Sequence, residues 1–298
     1  MIPRLTIRKG KSIIESHPCF SKEAHHRFGR IHLPIAPACN IQCKYCIRKY
    51  DCANESRPGV TSKVFSVQEA LERVRLLVER NARISVIGIA GPGDPLANNA
   101  TFEVLKAVNK EFPELILCVS TNGLLLTDRL EDIIKSGTKS LTVTINAATP
   151  ETAEKIYSWV FYHGRQYLGM DAAELLVRNQ WRGLGNAIDA GLIVKVNSVL
   201  IPGINDNELP LIAQLAGKKG ADLMNILPLI PQAEFGRLQR PSREEVSRMR
   251  EDCKPHMPQM THCKQCRADA FGILGEDKDM ELEALNAKIG EDYCEMIN

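Results

Sequence analysis

The sequence predicts an α/β fold built on a mostly parallel sheet with extensions at both ends. Six short β-branched apolar runs recur through the middle of the chain, amphipathic stretches of helical period separate them, and the texture changes at either end. Strand–helix–strand repetition implies parallel pairing, because parallel neighbours need a long crossover between them. A partial barrel and an open doubly wound sheet both satisfy the pattern. In either, an active site belongs at the carboxyl ends of the strands.

Residues 1–30 stand outside the alternation and form an N-terminal extension. The first strand run is Ile31–Ala36, followed by a polar, cysteine-rich loop. Ser66-Val67-Gln68-Glu69 is a capping box that opens a helix running to about Asn81. The second run, Ile84–Ala90, leads into Gly91-Pro92-Gly93-Asp94-Pro95, and Leu115–Thr121 and Leu141–Asn146 are the third and fourth. Thr149-Pro150-Glu151 supplies an N-cap, a proline at the first helical position and an acid in the first turn. Asp171–Ala190 reads as a helix stopped by Gly191. Leu192–Val199 and Asp222–Pro228 complete the six, each short enough for a buried strand. The alternation therefore fills residues 31–230. Pro231, Pro241, Pro255 and Pro258 mark a C-terminal extension over residues 231–298, and both extensions are expected to cover one mouth of the sheet.

Composition narrows the function. With 298 residues, 44% hydrophobic and 25% charged, the chain can bury a sizeable core. A net charge of +2 argues against a dedicated nucleic-acid binder. No apolar run approaches the roughly 18 residues of a membrane span, and the N-terminus has no signal-peptide pattern. The cytoplasm is the expected location, so the ten cysteines point to metal or catalysis rather than disulfides.

Cys39, Cys43 and Cys46 form a C-x3-C-x2-C run in the loop after the first strand. Three structural thiols or a zinc site are the plainer alternatives, but zinc takes four ligands, commonly in C-x2-C pairs. Three thiolates leave one iron of a four-iron cluster open, since such a cluster normally takes four protein ligands. That iron can chelate the amino and carboxylate groups of S-adenosylmethionine (SAM). Among the other thiols, Cys263 and Cys266 form a C-x2-C pair with Cys253 ten residues earlier, for which zinc is a fair rival. Cys19, Cys52 and Cys118 would each alone be a buried small hydrophobe. Cys294 lies near the terminus and reads as incidental.

Ala36–Cys46 with its continuation Arg48–Val60, His17-Pro18-Cys19, Ala24-His25-His26, Ser120–Gly123 and His262–Ala270 resemble the radical SAM superfamily. Within it they resemble the NifB family of nitrogenase cofactor maturases, in the short form without a carrier-like C-terminal domain; the likeness runs over about residues 17–275. The resemblance implies a partial (βα)6 barrel, SAM and three four-iron clusters. One cluster sits on Cys39, Cys43 and Cys46. On that template Cys19, Cys52 and Cys118, with His32 as a nitrogen ligand, hold a second, and Cys253, Cys263 and Cys266 hold a third. His17, His25 and His26 are rivals to His32, which alone would read as a satisfied core residue. Gly93 resembles the glycine-rich segment that receives the amino end of SAM, although glycine is also an ordinary turn residue. Asn146, Ser120, Asn122, Asn197 and Ser198 lie at strand ends as further SAM contacts, against the alternative of local loop bonding. Glu55, on the polar loop with Cys52, is read as a proton shuttle or transient iron ligand, against a solvated carboxylate. Arg48, Lys49 and Arg57 offset cluster charge or face solvent.

The implied reaction fuses two four-iron clusters around a SAM-derived carbide. The implied partners are nitrogenase cofactor carrier and scaffold proteins and a low-potential donor such as ferredoxin. A peptide-modifying radical SAM enzyme and a non-catalytic iron–sulfur carrier are the rivals.

Overall fold

A computed structural model describes residues 13–57 and 59–283; Cys294 lies outside them. Six strands run parallel: β1 (Gly29–His32), β3 (Ile84–Ile89), β4 (Ile116–Thr121), β5 (Ser140–Thr144), β8 (Ile193–Leu200) and β9 (Leu223–Pro228). They lie side by side in chain order. That order decides between the two architectures left open by the sequence. A doubly wound sheet reverses direction at a switch point, whereas same-handed crossovers that always advance the same way keep the helices on one face. The sheet curls around its other face as a half-barrel.

The helical layer comprises α2 (Val67–Arg80), α3 (Asn99–Glu111), α4 (Leu126–Lys135), α6 (Gly169–Asp189) and α7 (Leu209–Lys219). Leu77, Leu105, Ile133, Leu184 and Ile212 pack from these helices on Ile87, Leu117, Leu141 and Val194 of the sheet. Each such side chain contributes about 1.5–3 kcal/mol by leaving water. The box at Ser66 forms as expected: Ser66 Oγ accepts from the Glu69 amide at 3.2 Å, and the Glu69 carboxylate accepts from the Ser66 amide at 2.8 Å. Thr149 caps α5 (Pro150–Ile156), and Gly191 takes φ +81° after α6.

Two features depart from the sequence reading. The cysteine loop contains a short strand, β2 (Ile41–Cys43), paired antiparallel with β6 (Tyr157–Tyr162), which in turn pairs with β7 (Arg165–Leu168). The helix opened at Thr149 ends after seven residues because an aromatic, β-branched run follows it. His163 and Gly164 turn that hairpin with φ of +48° and +78°, the left-handed pair that two-residue hairpins prefer.

The extensions also do more than cover one mouth. Met260 donates to the Met224 carbonyl on β9, and β10 (Phe271–Ile273) pairs antiparallel with β1. The segment between them spans the open side of the half-barrel, from one edge strand to the other, and carries Cys263 and Cys266. This satisfies backbone groups that two free edges would expose. In the N-terminal extension, which contains α1 (Lys22–Arg27), Phe20 packs on Ile193, Leu223 and Met260 and so plugs the amino end of the barrel.

Candidate functional site

Strand alternation builds the barrel interior. Ile87, Leu117, Leu141 and Val194 face the helices, so the residues beside them turn inward. His32, Gly88, Cys118, Ser120, Thr142, Lys195 and Asn197 accordingly line a lower cavity. His17 and Cys19 enter it from the N-terminal extension, Cys263 and Cys266 from the closing segment. An upper cavity lies at the carboxyl ends of the strands. Cys39, Cys43, Cys46, Arg48, Cys52, Gly93 and Asn122 line it. Glu55 and Ser120 line both cavities and so separate them.

The upper cavity is braced by backbone. Gly93 donates to the Ala36 carbonyl at 2.5 Å, and Asp94 donates to the Ala38 carbonyl at 2.8 Å. A Cβ on Gly93 would lie 2.2 Å from the Ala38 carbonyl oxygen, so this position needs glycine for close approach of the cysteine loop. Buried Asp94 accepts from Thr121 Oγ1 at 2.9 Å and the Asn122 amide at 2.6 Å. Asn122 in turn donates to Asn40 at 2.7 Å and reaches Cys39 Sγ at 3.8 Å.

Two expected SAM contacts are corrected. Asn146 is fully buried and lines neither cavity. It donates to Tyr45 Oη at 2.6 Å and Tyr157 Oη at 3.2 Å and accepts from the Val199 amide at 2.8 Å. Its hydrogen-bonding capacity is spent tying the cysteine loop to β6 and β8. Ser198 donates to the Ile145 carbonyl at 2.5 Å and lines neither cavity; it points away because Asn197, its neighbour, points in.

The thiols regroup as well. Cys19, Cys118, Cys263 and Cys266 share the lower cavity with His32, whereas Cys52 sits by the upper one, close to Cys39, Cys43 and Cys46. Cys253 joins neither group. It ends α8 (Arg243–Cys253), fully buried in the apolar core that also holds Val246 and Met257. Its place in a set with Cys263 and Cys266 is therefore withdrawn: the helix turns its thiol into the core.

Burial sets the protonation states. It pushes the Cys39 thiol up to about 11 and Cys19 to about 12, and raises Cys43, Cys46, Cys52, Cys118 and Cys266. Such thiols stay protonated near neutrality unless a metal takes the proton's place. Burial also raises Glu55, whose Oε1 accepts from Ser120 Oγ at 2.5 Å and Asn197 Nδ2 at 2.7 Å. It lowers His17 to about 3 and His32 to about 4, so both rings are neutral.

Hydrogen bonding then separates the two rings. His17 Nδ1 accepts from the Cys19 amide at 3.1 Å, which assigns its proton to Nε2. His32 Nδ1 lies 3.1 Å from the Arg267 carbonyl and must donate to it, leaving a bare lone pair on Nε2. Of the two, His32 alone is set up as a nitrogen ligand. His25 and His26 line neither cavity.

The donor set suits iron–sulfur clusters. Among the described residues no three His, Cys, Asp or Glu side chains converge on one ion; the thiols instead ring cavities, which suits a cage of four irons. Sequence reasoning missed Lys195 and Arg30. Arg30 donates to the Gly272 carbonyl at 2.7 Å and Cys266 Sγ at 3.1 Å and pairs with Asp277. The inward alternation Arg30-x-His32 and Lys195-x-Asn197 was the available signal. Arg48 lines the upper cavity, and Arg57 pairs with Asp277.

A half-barrel of parallel strands with a three-thiol loop at its carboxyl end defines the class. The profile of the radical SAM superfamily matches residues 33–216, and the chain belongs to that superfamily. It is similar to the FeMo cofactor biosynthesis protein NifB of Klebsiella pneumoniae, 46% identical over 279 residues, or 91% of this chain and 60% of that protein. The NifB protein of Chlorobaculum tepidum is 45% identical over 274 residues, 91% of this chain and 65% of that one. These identities bear out the resemblance read from the motifs, although the chain spans under two thirds of each relative's length. Streptococcus suis SuiB shares the fold with a TM-score of 0.56 at 12% identity, covering 86% of this chain and 53% of that one. A radical SAM methyltransferase from Sphaerobacter thermophilus does so at 0.51 and 19%, covering 78% and 64%.

Proposed function

We propose that this chain is a radical SAM maturase that fuses two four-iron clusters around a SAM-derived carbide. With one added sulfur the product is the [8Fe-9S-C] precursor of the nitrogenase cofactor. The observation that carries this reading is the pair of adjoining cavities: a three-thiol loop opens on one, four thiols and two histidines on the other, and Glu55 and Ser120 stand between them.

Cys39, Cys43 and Cys46 would hold the resident cluster, whose open iron binds SAM and supplies methyl-transfer and radical chemistry when reduced. Gly93, Ser120 and Asn122 wall the space for SAM. Arg48 lies close enough to Cys39 and Cys46 to offset their thiolate charge. Cys19, His32, Cys118, Cys263 and Cys266 receive the substrate clusters below, with Cys52 at the boundary on the loop that carries Glu55. A half-buried carboxyl with a raised pKa, held by two hydrogen bonds between the cavities, would take protons from a carbon delivered across that boundary. The plug at the amino end and the closing segment exclude water. Partners on this reading are nitrogenase cofactor carrier and scaffold proteins and a low-potential donor such as ferredoxin, in the cytoplasm.

Anaerobic reconstitution with iron counting and methyl-labelled SAM tests the reading. The full chain is expected to hold about twelve irons and a Cys39/Cys43/Cys46 triple-alanine variant about eight, without 5′-deoxyadenosine formation. Label from the SAM methyl should enter the iron cluster. Zinc at the three-thiol loop, or SAM cleavage without label transfer, would overturn it; the latter outcome favours a peptide modifier.

A further inference from the structure

Among the described residues, one cation on the lower cavity has no ion-pair partner. Lys195 comes from the middle of β8, with Thr142 on β5 and Leu223 on β9 as its register neighbours. Its side chain faces the cavity and the residue is 5% exposed. Among the described residues its ammonium enters no ion pair, and it lies 6.0 Å from the centre of the Phe20 ring. The other cavity cation, Arg30, is already neutralised by Asp277. Glu55, the one carboxyl lining the cavity among the described residues, is held by Ser120 and Asn197. The groups near enough to act on the Lys195 charge are Cys19, Glu55, Cys263 and Cys118.

Burial opposes the Lys195 charge, but the surrounding thiols and Glu55 favour it more and raise its pKa, so the ammonium persists at the cavity wall; a buried cation ringed by thiols suits an anion held on those thiols. We propose that Lys195 is the counter-ion of an anionic iron–sulfur cargo held by the thiols of the lower cavity. It favours binding of that cargo and raises its reduction potential. The inference rests on the reading that this cavity receives iron–sulfur substrate. A thiolate-ligated cluster gains negative charge when reduced, so a fixed cation nearby stabilises the reduced form more than the oxidised one.

The full chain, K195M and K195R are compared with and without anaerobic reconstitution by iron and sulfide. Before reconstitution, K195M should fold and melt within a few degrees of wild type. After it, K195M should lose at least half of the iron held beyond the Cys39–Cys43–Cys46 cluster. Any auxiliary cluster it keeps should titrate lower in EPR-monitored potentiometry by about 59 mV or more, tenfold in a one-electron equilibrium. K195R should restore both towards wild type. Wild-type iron and unchanged potentials in K195M would sink this proposal alone, as would a K195M chain that fails to fold, since Lys195 would then be structural. A wild-type chain that binds only one cluster would sink the functional reading, and this proposal with it.

Discussion

At the residue scale, two side chains of one type differ through their second atom. His17 and His32 both line the lower cavity and both are neutral, yet only His32 donates through Nδ1 and keeps Nε2 bare. His32→Ala should therefore remove auxiliary iron, whereas His17→Ala should retain it. Iron per chain in each variant after reconstitution checks this, and equal losses would refute the tautomer assignment. Glu55 gives a sharper test, because Gln keeps its shape and can still accept from Ser120. Glu55→Gln should keep its iron yet form product at least about 100-fold more slowly, the usual scale for losing a positioned proton acceptor. Product formation at the wild-type rate would show that the carboxyl carries no proton.

At the scale of elements, the cysteine loop depends on neighbours distant in sequence. Its geometry is fixed by the Gly91–Asp94 turn beneath it and by the β6–β7 hairpin beside it. Gly93→Ala drives a methyl group into the Ala38 carbonyl, and backbone cannot yield as a side-chain tip does. Overpacking of this kind typically costs 1–3 kcal/mol. The variant should melt lower and cleave SAM at least about tenfold more slowly, as measured by thermal unfolding and 5′-deoxyadenosine release. Unchanged cleavage would mean that the loop finds its position without the glycine contact.

At the scale of the whole molecule, the closing segment decides whether the half-barrel has an interior. Asp277, in the turn after β10, bridges buried Arg30 on β1 and half-exposed Arg57 on the Glu55 loop, so one carboxylate ties β1, that turn and the loop together. Asp277→Ala leaves the Arg30 guanidinium buried without its partner, a change of about 3–5 kcal/mol. Urea unfolding of the protein before reconstitution measures it. A loss below about 1 kcal/mol would mean that Arg30 is carried by Gly272 and Cys266 alone.

What the sequence determined by itself is the six parallel strands and the helix ends it marked, since capping, glycine stops and apolar runs act within a few residues. Each of the six predicted runs overlaps an observed strand, and the box at Ser66 forms as read. The three-thiol motif is legible for the same reason: its ligands lie within eight residues. Tertiary structure decided everything that depends on which way a side chain points across a closed barrel. It turned Asn146 into a brace, sent Cys253 into the core and brought Cys19, Cys118, Cys263 and Cys266 to one cavity from three separate parts of the chain. It also put a lysine among them. Side-chain direction and long-range convergence follow from strand register and edge closure, and those are settled only when the whole sheet has curled and its two edges have been joined.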